Sequence, residues 1–228
     1  MMNRLMMIFV CLLVSVASAS AQRDGNPENW CRNGAFPADS EEYRIGTVKG
    51  TKGQRAYFYN DFSDDCPSNE KCKEKSYVVP GDKVIVSRKY GKFSCGWFSP
   101  AKGQPTVGWI RSERITVEAA EKLSNLSSWL GKWRYFENTI SITRTKRSSG
   151  KLKVAGTAFW KGLGDNIHIG ELSEIVAPAA NVVKIGAADT DKYACKAVMR
   201  LVGTFLVVAD NMNCGGANVS FTGVYKRK

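Results

Sequence analysis

The segment "VVADNMNCGGANVSFTGVYKRK", residues 207–228, crowds Asp210, Asn211, Cys214, Gly215 and Gly216 between two apolar stretches. A thiol near a carboxylate becomes a nucleophile when a base activates it. The chain has one histidine, His168 in "DNIHIGE", so Cys214 with His168 is its one conceivable Cys–His pair. A Ser–His–Asp arrangement would need the same histidine, and no Gly-x-Ser-x-Gly elbow occurs. Asp165, Glu171 and Glu174 flank His168. Two of them could serve glycoside cleavage as acid and base, or Asp165 or Glu171 could hold a metal with His168. An exposed polar strand-turn accounts for the same residues. "KGLGDN" has two glycines but no phosphate-loop pattern, and nothing in the chain implies a cofactor.

Two further sets point to binding. Arg144, Lys146, Arg147, Lys151 and Lys153 lie on two consecutive strand-like segments and the turn "KRSSG" between them. They could meet a polyanion, or simply remain solvated charge. Tyr57, Tyr59, Tyr77 and Trp97, with Trp109, could form an aromatic face, although a small barrel also needs such side chains to fill its core. Net charge is uneven. The chain carries +12; residues 22–118 hold 16 basic and 13 acidic residues, and residues 119–228 hold 16 and 8. The second half should therefore favour anionic surfaces.

Whether Cys214 is reactive depends on the compartment. Arg4, the apolar run "LMMIFVCLLVSVA" and an A-x-A-like site at Ala19 and Ala21 predict a signal peptide over residues 1–21, cleaved after Ala21. The mature chain is expected in the periplasm or outside the cell, with no transmembrane segment. Six cysteines then remain, an even number that reads as disulfides in an oxidising compartment. A hairpin centred on Gly203 would pair Leu201 with Phe205 and Cys195 with Asn211, which puts Cys214 within reach of Cys195. The loop then reads as a stapled hairpin corner and not as a nucleophile. In the first half, Cys66 and Cys72 bracket a short polar loop and are the first choice for a bridge, leaving Cys31 to Cys95. Four cysteines allow three connectivities, and spacing alone does not choose among them. No C-x2-C pair and no nearby histidine support zinc.

The elements that must position these residues are strands. Residues 22–42 are irregular and rich in Gly, Pro, Asn and acid. "RAYFYN", "SYVVPGDKVIVSRKY", "KFSCGWFSP" and "TVGWIRSERI" are short strand-like segments joined by turns, predicting a small barrel over residues 43–117. "TVEAAEKLSNLSSWL" has Thr116 as a cap and apolar residues at helical spacing, predicting a linker helix over residues 118–130. Alternating segments from "TISITRT" to "NVSFTGVYKR" predict an up-and-down barrel of seven or eight strands over residues 131–228. The expected fold is all-β: two small antiparallel β-barrels joined by a short helix and preceded by a cleaved signal peptide.

"YVVPGDKVIV", "CGWF" and "TVGWIRSERI" resemble the bacterial Src-homology-3-like domains of exported proteins, over about residues 55–117. That resemblance implies a five-stranded barrel that binds cell-wall peptides or proteins, or acts as a spacer. Gly131-Lys132-Trp133 at the opening of the second meander resembles the calycin superfamily, the lipocalin and avidin-like barrels. It implies that Trp133 plugs the closed end and that Arg200 or Arg227 lies across it. The stretch from Asp210 to Tyr225 is also similar to a C-terminal domain of uncharacterised proteobacterial exported proteins.

The expected function is that of a non-enzymatic exported binding protein of the bacterial envelope. Its partner would be an anionic envelope polymer, such as peptidoglycan or lipid head groups, or a protein. Nucleic acid fits the charge but is not favoured. One alternative is an inhibitor of a hydrolase such as lysozyme, through an acidic face of Asp61, Asp64 and Asp65; another is an unrecognised hydrolase.

Overall fold

A computed structural model describes residues 26–38, 42–119, 125–145 and 150–228. The expected signal peptide and residues 120–124 of the expected linker helix lie outside these residues. The fold is all-β, in two antiparallel sheets.

The first sheet contains β1 (Arg44–Val48), β2 (Ala56–Tyr59), β3 (Lys73–Val78), β4 (Lys83–Tyr90), β5 (Phe93–Phe98), β6 (Thr106–Arg111) and β7 (Ile115–Val117). Their order is β3-β2-β6-β5-β4-β1-β7. This is two strands more than the resemblance implies. β1 has only Ile45 and Val48 as large apolar residues, so nothing in its pattern singles it out.

One face of this sheet packs on itself through Val48, Phe58, Val78, Val84, Ile110 and Ile115. The other lies under the segment that precedes β1 and under the second barrel. That leading segment is therefore a structural cover. Trp109 Nε1 donates to the Asn29 carbonyl at 2.5 Å. Asp61, 2 % exposed, accepts from Cys31 N–H at 2.7 Å and pairs with Arg32 at 2.8 Å. Cys31 is bonded to Cys95, and Cys66 to Cys72.

Thr116 belongs to β7, so it caps no helix. Leu126–Trp129 form one short 3-10 turn, capped by the Asn125 side chain. No α-helical linker is present among the described residues. Leu126 and Leu130, two of the apolar residues at helical spacing, pack on the second barrel's core from this turn and its flank.

The second sheet contains β8 (Gly131–Tyr135), β9 (Asn138–Arg144), β10 (Leu152–Lys161), β11 (Ile167–Val176), β12 (Val182–Ile185), β13 (Ala197–Val202), β14 (Phe205–Asp210) and β15 (Gly223–Arg227). Each strand pairs with its successor except at the β11–β12 seam, and β15 returns to β8. The barrel is thus nearly closed. Glu174 of β11 bridges the seam by accepting from Gly186 N–H, just beyond β12, at 2.7 Å. The interior is solid: Trp129, Trp133, Met199, Phe221 and Tyr225 are fully buried there. Burial raises the Tyr225 phenol above its ordinary pKa, and its hydroxyl donates to the Phe221 carbonyl at 2.9 Å.

The β13–β14 register differs from the expected one by a residue. Val202 pairs with Phe205 and Met199 with Val208. The turn has two residues, Gly203 and Thr204, with Gly203 at φ +57°. Two-residue hairpins favour positive φ at the turn because it matches strand twist. The slip exchanges the faces of β14. Leu206 and Val208 point into the barrel, while Phe205 and Val207 meet the first sheet with Val202 and Val224. The Phe205 ring packs edge-on against Trp97 at 5.2 Å between centroids.

Candidate functional site

The loop after β14 resolves the question of Cys214. Cys214, 3 % exposed, is bonded to Cys195. Asp210 accepts from Ser220 Oγ at 2.7 Å, Phe221 N–H at 2.8 Å and Thr222 Oγ1 at 2.9 Å. Its carboxylate therefore pins the returning chain. Gly170 and Gly215 bridge β11 to this loop so closely that a Cβ on Gly170 would lie 2.3 Å from the Cys214 carbonyl oxygen. A side chain there would push the corner off the barrel. His168 Nδ1 lies 2.6 Å from the Ala217 carbonyl, and its ring stacks near Trp160. The ring nitrogen facing that carbonyl must carry the proton. The residues that looked chemical thus close the end of the barrel.

Glu171 and Glu174 fall on opposite faces of β11, Glu171 outward and Glu174 at the seam. They do not face each other as an acid–base pair. Asp65, Cys66 and Cys72 lie close together, but both sulfurs are consumed by their mutual bond. Of the three acidic candidates only Asp61 is buried, while Asp64 and Asp65 stay exposed. Asp61 is buried on Arg32, Asp64 accepts from Asn26 N–H, and Asp65 is held below its ordinary pKa by hydrogen bonds from Ser63 and Asn69.

The aromatic candidates separate. Tyr59 and Trp97 are buried, Tyr59 beside Phe93 and Trp97 against the second barrel, so neither joins an exposed aromatic face and each shows only an edge to a neighbouring cleft. Trp109 is fully buried. Tyr57 and Tyr77 face each other across β2 and β3, with ring centroids 5.8 Å apart. Each carries a cation: the Arg55 guanidinium lies 4.3 Å from the Tyr77 ring, and Lys73 Nζ lies 4.2 Å from Tyr57.

Beside this pair a pocket of about 170 Å³ is lined by Arg55, Tyr57, Tyr59, Arg111, Glu113 and Arg114. Strand alternation on β2 places both tyrosines along it, and β6 with the turn Ser112–Arg114 supplies the other two arginines. Arg111 donates to the Tyr59 hydroxyl at 3.3 Å and pairs with Glu70. Among the described residues, Arg55 and Arg114 have no carboxylate partner. Hydrogen bonding raises the pKa of Arg55 through Tyr57 and of Arg111 through Tyr59. Both stay charged at any working pH. Sequence reasoning found the tyrosines and missed the arginines. The available signal was Arg55 two residues before Tyr57, in phase with the alternation.

The basic set on the second barrel is only partly described. Arg144 closes β9 opposite Leu152, and Lys151 and Lys153 are exposed at the start of β10. Ile140 and Ile142 point inward, which sends Ser141 and Thr143 to solvent. Lys146 and Arg147 lie outside the described residues. At the same end, Arg227 lies over the Trp133 ring at 4.6 Å and donates to the Ser128 carbonyl, whereas Arg200 sits over Tyr43.

No protein-family model, curated protein or solved structure matches the chain. Among the described residues no helix is long and apolar enough to cross a membrane. The three disulfides fit an oxidising, extracytoplasmic environment.

Proposed function

We propose that this protein is a non-enzymatic exported binding protein of the bacterial envelope, whose first barrel grips carboxylate or phosphate groups of an anionic polymer. The observation that carries the reading is the pocket of Arg55, Arg111 and Arg114, where two guanidiniums have no carboxylate partner among the described residues. Planar guanidiniums recognise such anions through paired N–H donors. The exposed Arg144, Lys151 and Lys153 would add long-range attraction without a fixed geometry.

The fold is compatible with the resemblances. The run β7-β1-β4-β5-β6 is a five-strand core to which the β2–β3 hairpin is added, as a Src-homology-3-like barrel with an extra hairpin would be. Arg227 across Trp133 supports the calycin-like reading of the second barrel.

The test is a set of binding isotherms on purified peptidoglycan and on anionic lipid vesicles, each at low and physiological salt. The double variant Arg55→Gln/Arg114→Gln should lose about tenfold in affinity for the polymer that binds, at both salts. Lys151→Ser/Lys153→Ser should weaken binding at low salt only, because screening already removes its share. Unchanged affinity in the arginine double variant would remove the pocket from the function.

A further inference from the structure

The hairpin between β8 and β9 turns at Phe136 and Glu137. Phe136 has φ +48°, the left-handed region that Gly and Asn tolerate and bulky residues avoid. Its side chain is also 58 % exposed. Neither backbone preference nor burial therefore explains a phenylalanine here. Strain of this kind gathers where function requires it. Arg134 Nε donates to the Phe136 carbonyl at 2.7 Å, and the Tyr135 ring meets the Phe136 ring edge-on at 4.7 Å. The exposed ring is thus held in place.

It lines a cleft of about 260 Å³ between the two barrels, together with Asn33, Trp97, Gln104, Pro105 and Tyr135. The walls are aromatic, two exposed side-chain amides stand among them, and no lining residue is charged. A polyanion would find no counter-charge here. A lipid tail would strip water from the Asn33 and Gln104 amides without replacing it. The matching ligand has an apolar face, a rim of hydroxyl and amide groups, and no charge. A pyranose ring has that form: its C–H face stacks on an aromatic ring while its hydroxyls meet amides. The volume lies just below the roughly 300–1,000 Å³ of drug-sized pockets, which suits a single ring better than a proline-rich peptide.

We propose that this interbarrel cleft is a subsite for one neutral sugar ring of a glycan, with Phe136 as its stacking platform and Asn33 and Gln104 as its hydrogen-bonding rim. The proposal stands apart from the arginine pocket, which holds anions.

The test uses the full disulfide-bonded chain and chitotriose, a neutral oligosaccharide, followed by calorimetry and tryptophan fluorescence. Wild-type protein should bind it with an affinity that does not change with salt. Phe136→Asn suits the left-handed turn, so it should raise the melting temperature while weakening chitotriose binding about tenfold or more. Gln104→Ala, on a surface loop, should weaken binding in an unaltered fold. Arg55→Gln/Arg114→Gln should bind chitotriose as wild type does. Three results would each overturn the proposal: no chitotriose binding by wild type at millimolar concentration, undiminished binding by Phe136→Asn, or displacement of the sugar by salt. A proline-rich peptide that binds in a Phe136-dependent way while chitotriose does not would assign the cleft to peptide. Loss of anionic-polymer binding in the arginine double variant, with chitotriose binding absent throughout, would sink this subsite and leave the arginine pocket standing.

Discussion

The two sheets are held together in different ways. The second is a meander whose neighbours in sequence are neighbours in space, so local hairpins build it and one corner disulfide closes its end. The first has β2 beside β6 and β1 between β4 and β7, so distant segments must meet before any of them is stable. Its covering segment is bonded across a separation of 64 residues by Cys31–Cys95. The cationic surfaces differ in the same sense. In the first sheet the Arg55 and Arg111 guanidiniums rest on tyrosine rings from separate strands, fixed by the fold. On the second, Arg144, Lys151 and Lys153 stand exposed at the end of one hairpin. A long-range fold can preorganise charge for a particular geometry, whereas a hairpin rim supplies only field.

The largest test of this contrast is removal of the disulfides. In the loop-entropy picture, Cys31→Ser/Cys95→Ser should cost about 4 kcal/mol and Cys195→Ser/Cys214→Ser about 3 kcal/mol, read by denaturant unfolding. Equal losses, or a larger one in the second barrel, would break the distinction between distant and local closure. Peptide mapping without reductant should recover all three bonded pairs and no free thiol.

Trp97→Ala should follow, at about 3 kcal/mol, because the indole fills the contact with Phe205. The variant should also split one thermal transition into two if that contact couples the two sheets. A single transition of unchanged width would show that the coupling lies elsewhere.

Loss of the arginine pocket ranks next, at about tenfold in affinity, or roughly 1.4 kcal/mol. The hairpin variant should change the salt dependence more than the affinity at physiological salt. The reverse pattern would exchange the two surfaces' roles.

The smallest effect belongs to Glu118, whose carboxyl is held below its ordinary pKa by the hydrogen bond from Lys83. A depressed carboxylate stabilises the folded state above its unfolded pKa, and that contribution fades as pH falls through the folded value. Glu118→Gln should therefore be slightly less stable than wild type at neutral pH and equal to it in acid. The pair is exposed, so the difference should shrink with added salt.

Much of the strand plan was legible. Alternation located β9 and β10 within a few residues, because each has one wet face and one dry face. Parity and spacing pointed Cys214 to Cys195, and the one-residue slip in β13–β14 favours the bond, because Lys196 takes the place opposite Asn211 and Cys195 moves nearer to Cys214. The alternation of Tyr57 and Tyr59 marked one edge of the arginine pocket.

What the sequence alone determined is therefore local: the all-β pattern, the turns, and the short-range pairing of cysteines. These depend on side-chain periodicity and chain reach, which are properties of contiguous residues. Only the tertiary structure decided which apolar faces meet. "TFLVVAD" buries both sides because one lines its own barrel and the other meets the first sheet, and a continuous apolar run cannot say which side is which. It also decided that Trp97 would lie against Phe205, that Asp61 would be spent on Arg32, and that Arg55, Arg111 and Arg114 would share one pocket. These outcomes depend on contacts between segments tens of residues apart, and no local pattern records those contacts.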